Sequence, residues 1–348
     1  MRIALDATPL TLTSGGLRRY VEDLALALGR EFPGDRYTLL SDQPFDLPEN
    51  SPPNLAGLVR RDRRYWLLGI RRALRELSAD VFHGTNFEVP YLGRTPAVLT
   101  IHDLSPWRNP EWHSAAGRVQ QRTPWLVRLR RAQLILTVSE AMAREIVSHF
   151  GIPAERVRAV PLAASGLFRP TTALTQRKRP YFLFVGTLEP RKGIDTLAEA
   201  WRETRGQTGA DLILVGRTRT DFVPIPEHEG LSIIGEVCDD DLPDLYSSAL
   251  AFVYPTRYEG FGLPVLEAMQ CGCPVITSHD PAVTEVAGGA ALHIGSGREL
   301  AEAMVALTAN PELRARLAAS GLSRAKAFSW QATARQTRAV YAEVAPRD

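Results

Sequence analysis

The stretch between residues 250 and 278 leaves this chain little choice of architecture. Residues 250–254 are an unbroken apolar run, the pattern of a buried strand. Pro255 and Gly260 break the run. Residues 263–270 then take helical spacing, with Pro264 in the first turn, where its missing N–H costs nothing. Residues 274–278 return to a strand pattern. Strand, helix and strand in that order predict a parallel crossover, and the alternation recurs along the chain. Strand patterns fall at residues 2–7, 37–41, 80–83, 97–101 and 134–138, and again at 181–186, 212–215 and 231–234. Helical spacing covers 17–32, 140–150, 194–203, 300–307 and 312–327, and a last helix starts at Phe328-Ser329-Trp330. The expected fold class is α/β, with doubly wound parallel sheets.

A length of 348 residues suits two domains, and an apolar share of 45% is enough for two cores. The polar, punctuated run at 162–179 reads as the boundary, giving domains at 1–168 and 180–326 and a C-terminal helix at 327–348. A net charge of only +2 gives no global case for nucleic-acid binding. The charge is uneven, however. The first 170 residues hold 23 arginines, no lysine and 17 acids, whereas the rest hold 18 basic and 22 acidic residues. A basic first half suits an acidic or membrane-surface acceptor. Two arginine-rich, apolar segments, 60–75 and 118–131, carry the pattern of helices that lie on anionic lipid, although such stripes are more often solvated faces. Cys238, Cys271 and Cys273 cannot make a disulfide framework or a four-ligand zinc site, so they are expected as small buried thiols in a reducing compartment. No apolar run is long enough to span a bilayer, and the N-terminus turns acidic too early for a signal peptide. A cytoplasmic protein, with peripheral contact at the inner membrane face, is expected.

The loop inside the opening stretch has chemistry to offer. Gly260 and Gly262 let backbone approach a ligand, and the N–H groups opening the next helix face the same spot, which is an anion site made of main chain. Glu259 and Glu267 bracket it. A carboxylate repels phosphate but accepts hydrogen bonds from sugar hydroxyls, so the pattern asks for a nucleotide-sugar. Gly15-Gly16 joins the first strand to the first helix, past a strand's carboxyl end, where open α/β sheets bind ligands. Arg191 and Lys192 follow the strand at 181–186 and suit a diphosphate, one as a fork and the other as a point charge. An apolar strand delivers His102-Asp103 to its carboxyl end, and His83 ends another strand as a lesser candidate for the acceptor side. Ser139 and Ser329 read as helix N-caps, and Asp239-Asp240-Asp241 as a helix start.

Glu259-Gly260-Phe261-Gly262-Leu263-Pro264 with Glu267 eight positions on resembles the signature of retaining glycosyltransferases of the GT4 family. Their GT-B fold has two Rossmann-like domains facing across a cleft, the last helix returning to the first domain. The resemblance implies catalytic roles for His102, Arg191, Lys192 and Glu259. It implies nucleotide-sugar contacts for Gly15, Gly16, Gly186, Gly260, Phe261, Gly262, Leu263 and Glu267, with Glu259 on the donor sugar and Glu267 on the ribose. Many members carry Gly-Arg where this chain has Gly186-Thr187, so one member of the cation pair has moved. Asp103 is either a base or a support for His102. The family's reaction moves a sugar from a nucleoside-diphosphate donor to a hydroxyl with retention, needing no cofactor, and no Asp-x-Asp here asks for a divalent metal. Gly-Thr-Leu-Glu-Pro-Arg-Lys is similar to the form in bacterial polysaccharide mannosyltransferases. It implies GDP-mannose as donor and a glycan or lipid-linked glycan as acceptor. The alternatives are a nucleotide-sugar epimerase or phosphorylase on the same fold, or a non-catalytic nucleotide-sugar-binding subunit.

Overall fold

The computed structural model describes residues 1–12, 15–108, 117–171, 178–219 and 221–346. Residues 13–14 of the glycine loop and 172–177 of the boundary run lie outside the described residues. The chain divides into two compact units, Met1–Leu162 with Ser329–Asp348, and Ala163–Phe328. Residues 163–168, expected with the first domain, therefore belong to the second unit.

The first unit is built on a seven-stranded sheet: β1 (Arg2–Asp6), β2 (Arg36–Ser41), β3 (Leu55–Val59), β4 (Val81–Gly84), β5 (Ala97–Thr100), β6 (Leu134–Thr137) and β7 (Val157–Ala159). Every pairing is parallel and the order is β3-β2-β1-β4-β5-β6-β7. The second unit holds β8 (Tyr181–Val185), β9 (Asp211–Val215), β10 (Leu231–Ile233), β11 (Ala251–Tyr254), β12 (Val275–Ser278) and β13 (Leu292–Ile294), again parallel, in the order β10-β9-β8-β11-β12-β13. Strands covered on both faces need side chains that avoid water on both, which is why β8 and β11 are buried throughout. Each sheet winds outward in two directions. The reversal falls between β1 and β4 in the first unit and between β8 and β11 in the second, and a crevice opens at such switch points, at the strands' carboxyl ends.

The strands missed by sequence reading are β3, β7 and β13. β7 and β13 have three residues each, and β3, Leu-Ala-Gly-Leu-Val, is an edge strand with most residues facing water. None has the apolar periodicity that marks a strand alone. The 60–75 segment is also less helical than expected: a wide turn at Tyr65–Gly69 precedes a short helix, Ile70–Glu76. Cys271 and Cys273 are buried, but Cys238 is exposed, against expectation, because it stands in the loop just before the acidic turn at Asp239–Asp241.

The last helix, Trp330–Val344, is part of the first unit and Ser329 caps it, accepting from Ala332 N–H. Trp330, at its first turn, is only half-buried and does not anchor it. Tyr341, fully buried, does that work. Tyr341 Oη lies 2.6 Å from His83 Nδ1, His83 Nε2 lies 2.7 Å from Thr100 Oγ1, and Tyr20 Oη lies 3.0 Å from the same hydroxyl. Each side chain in this row of four finds a hydrogen-bond partner, as burial demands. His83 is thus a structural link, not the acceptor-side group expected from its position. Arg338 and the N-terminal amine both hold Asp35.

Burial pushes the His83 imidazole down to about 3, and pushes the Asp6 carboxyl, beside Thr8 and Thr85, up to about 6. As pH falls below about 6.5 the unfolded chain takes up the histidine proton and the folded chain does not, so stability falls by about 1.4 kcal/mol per pH unit. Asp6 acts in the opposite sense: below about pH 6 the folded chain takes the proton first. The two slopes offset one another down to about pH 4. The Asp6→Asn variant should therefore lose stability more steeply than the wild type between pH 6 and 4.5 in urea titrations. Equal slopes would mean that these groups are not buried as described.

Candidate active site

At the switch point of the second unit, two loops meet. The loop after β8 runs through Gly186 to a tight turn at Pro190–Lys192, then Gly193 and the helix Ile194–Thr208. The loop after β11 runs from Pro255 to Gly262 and into the helix Leu263–Gln270. They are stitched by backbone: Arg257 N–H donates to Arg191 O at 2.8 Å. Gly193 has φ +67°, and a Cβ there would lie 2.1 Å from Pro255 O, so only glycine allows this approach.

The side chains of three expected residues converge there. Lys192 donates from Nζ to Glu259 Oε1 and, at 2.7 Å, to Tyr254 Oη. Arg191 Nη1 lies 3.3 Å from Glu259 Oε2 and 2.9 Å from Tyr258 O. Tyr254 Oη and Thr256 Oγ1 donate to Glu259 Oε1 at 2.9 and 3.0 Å, and Glu259 N–H donates to Asp280 Oδ2. Glu259 is 8% exposed. Burial pushes its carboxyl up, but Lys192 and Arg191 more than offset this and hold it down at about 2, so it is ionised. Arg191 Nε donates to Glu189 Oε1 at 2.6 Å, and Arg219 Nη1 to Glu189 Oε2 at 2.5 Å.

Sequence reading missed Glu189, Arg219, Tyr254 and Thr256. Each sits at or just past the carboxyl end of β8, β9 or β11, and that position was the available signal.

The glycine loop differs in one respect from expectation. The N–H groups opening the helix are expected as donors to an anion, but Val265 N–H bonds Gly262 O at 2.9 Å and Pro264 has none. At the helix start this leaves Leu263 N–H, next to Gly262 at φ +96°. The Phe261 ring is buried and packs edge-on to Phe328 at 5.9 Å. Gly186 turns the chain at the end of β8 at φ +150°. Glu267 is not drawn into the Glu259 cluster. It is 1% exposed and accepts from Tyr246 Oη at 3.2 Å.

The remaining expected residues belong to the first unit. Gly15, at φ +112°, is the N-cap of the helix that begins at Gly16, and both have open space where a side chain would be. His102 Nε2 lies 2.9 Å from Thr85 O. A carbonyl only accepts, so Nε2 carries the proton and Nδ1 presents a lone pair. Burial pulls this imidazole down, which keeps it neutral. The Tyr20 ring meets it edge-on at 4.8 Å. Asp103 Oδ1 accepts from Ser105 N–H and Oγ, at 3.0 and 2.6 Å. It holds the first residue of the short helix Ser105–Arg108, and its charge also favours the protonated form of His102, against burial.

Two doubly wound α/β units, with a last helix assigned to the first, match solved structures along nearly their whole length. Sucrose-phosphate synthase from Thermosynechococcus elongatus superposes with a TM-score of 0.76 at 20% identity, covering 98% of each chain. Alr3699/HepE from Anabaena, in complex with UDP and glucose, gives 0.74 at 17%, covering 98% of this chain and 99% of that one. The fold is GT-B, the class of two-domain glycosyltransferases. A family profile described as Glycosyltransferase Family 4 matches residues 14–164, and one described as Glycosyl transferases group 1 matches residues 179–310. The chain is 34% identical to the O-antigen chain mannosyltransferase B of Escherichia coli, over 97% of this chain and 98% of that one. It is 27% identical to the O-antigen chain mannosyltransferase RfbU of Salmonella typhimurium, over 68% and 66%. The protein belongs to glycosyltransferase family 4 and is a glycosyltransferase.

Removing one partner of a buried ion pair leaves the other charge exposed to a low dielectric, at a cost on the order of 3–5 kcal/mol. Lys192→Ala should therefore lower stability as well as turnover, and Lys192→Met with Glu259→Gln should recover much of that stability while staying inactive. Thermal unfolding of the single and double variants checks this. Additive losses would show that the two groups are not coupled.

Proposed function

We propose that this protein is a retaining glycosyltransferase that passes a sugar from a nucleoside-diphosphate donor, specifically mannose from GDP-mannose, to a hydroxyl of a glycan or lipid-linked glycan in polysaccharide biosynthesis. The observation that carries the reading is the meeting of Arg191, Lys192 and Glu259 at the switch point of the second sheet, beside the glycine loop. The mannose assignment draws on the names of the two O-antigen relatives. In the reaction the bond from the anomeric carbon to the donor phosphate oxygen breaks, its electron pair leaving with the diphosphate. The acceptor oxygen bonds to the same face, and its proton goes to the departing phosphate. Arg191, Lys192 and Leu263 N–H meet the charge that develops on that phosphate, and such pre-aligned donors are where electrostatic catalysis is strongest. Glu267 takes the ribose hydroxyls. His102, with Nδ1 as acceptor, takes part in hydroxyl recognition. A divalent metal is not needed for this charge balance.

Lys192 and Arg191 both bond Glu259. A diphosphate competes for the same N–H donors, and as they turn to it Glu259 is released toward a sugar hydroxyl. Binding of the donor's two halves is thereby linked. Trp125, 66% exposed, and Leu129, 58% exposed, stand with Arg122, Arg128 and Arg130 on and just past the helix Gly117–Arg128. This supports peripheral contact with anionic lipid by that segment. Within 60–75, Tyr65 and Ile70 are buried, which favours packing there. Among the described residues no helix is long and apolar enough to cross a membrane.

Calorimetry with GDP, GDP-mannose, UDP and UDP-glucose tests the donor. GDP-mannose should bind most tightly, and no preference among them would remove the assignment. In Glu259→Gln, GDP alone should bind as well as or better than to the wild type, while transfer falls by a factor on the order of 100. Weaker GDP binding would rule out the competition. Trp125→Ala should reduce pelleting with anionic vesicles at low salt and leave transfer to a soluble acceptor unchanged, and equal pelleting would end the lipid reading.

A further inference from the structure

We propose that Glu189, itself clamped by Arg219, is a positioning residue that aims Arg191 at the donor diphosphate, so that the loop after β9 sets the direction of a cation carried by the loop after β8. This rests on the reading of Arg191 given above. Arg191 stands on a three-residue turn and carries a long side chain with many rotamers. Its charge acts on a leaving group only if something fixes its direction. Glu189 does so through Nε, at 2.6 Å, which turns the Nη1 edge toward Tyr258 O and Glu259.

Glu189 is poorly placed to be a passive surface charge. Its side chain is 5% exposed, and a carboxylate that deep is costly unless both oxygens are met by donors. The second oxygen is met by Arg219 Nη1 at 2.5 Å. The other edge of Arg219 is forked onto Asp221, Nε to Oδ1 at 2.9 Å and Nη2 to Oδ2 at 2.6 Å, which fixes the guanidinium plane.

The backbones that carry these groups are zipped together independently of the side chains. Leu188 N–H donates to Arg217 O at 2.8 Å, and Arg219 N–H to Leu188 O at 3.1 Å. A Cβ on Gly216 would lie 2.0 Å from Gly186 O, so the two loops touch at their roots. The result is one line of alternating charge, Asp221, Arg219, Glu189, Arg191, Glu259, in which each member holds the next. Arg219 and Asp221 stand one loop removed from the glycine loop, and the cluster's chemistry does not otherwise use them.

The test compares Glu189→Gln, Arg219→Ala and Arg219→Lys, each alone and with Arg191→Ala, by kcat, donor KM and thermal unfolding. Glu189→Gln and Arg219→Ala should lower kcat by about 10- to 100-fold with a smaller change in KM, as misorientation by an ångström does. Arg219→Lys, which keeps one bond to Glu189, should recover part of the loss and guards against a folding failure. With Arg191→Ala, neither Glu189→Gln nor Arg219→Ala should lower kcat further, because residues acting as a unit are non-additive. Additive losses there, or wild-type kcat in the single variants while Arg191→Ala is impaired, would overturn this inference alone. Wild-type transfer by Arg191→Ala would overturn both it and the assigned role of Arg191.

Discussion

Two cations and two hydroxyls close on Glu259, a carboxylate that water barely reaches. An ionised group in that position is tolerable only because each oxygen is met, and the requirement propagates outward. Lys192 must come from the loop after β8 and Tyr254 from the end of β11. Those two strands must therefore be neighbours, with their carboxyl ends at the same edge. The parallel pairing of β11 with β8 satisfies this, and Gly193 allows the loops to close to backbone contact. The fold of the second unit and its charge cluster are in this sense one problem.

The first unit solves a different problem with uncharged groups. Its link between distant elements is a row of hydroxyls around a neutral imidazole, Tyr341, His83, Thr100 and Tyr20, which ties the last helix to β4, β5 and the first helix. Burial keeps His83 neutral, so no counter-ion is needed. The second histidine of this unit, His102, keeps one nitrogen on a carbonyl and the other as an acceptor, an arrangement suited to hydroxyls rather than to phosphate.

A consequence of the cluster is that its cations are already engaged by protein carboxylates. Their net attraction for a diphosphate is then a difference, set by how readily Glu259 and Glu189 release or share them. Specificity in such a site comes from what the rest of the donor contributes, since an anion alone must displace an existing bond.

What the sequence settled unaided follows from local rules. Apolar runs alternating with helical spacing announce a doubly wound sheet, since parallel strands are buried on both faces and need crossovers. Ser139 and Ser329 read as caps and are caps, because capping depends only on residues two or three positions away. Arg191, Lys192 and Glu259 were legible because the glycines around them have few other uses. What lay beyond reach depends on register and pairing. Nothing local joins Lys192 to Tyr254, 62 positions apart, or Glu189 to Arg219, 30 apart. β3, β7 and β13 exist only because a neighbour supplies their hydrogen bonds. His83 had the residue type of a site, and only burial and distance assigned it to packing. The chemistry of a group is written in its type, but its partners are decided by which strand ends the sheet brings to one edge.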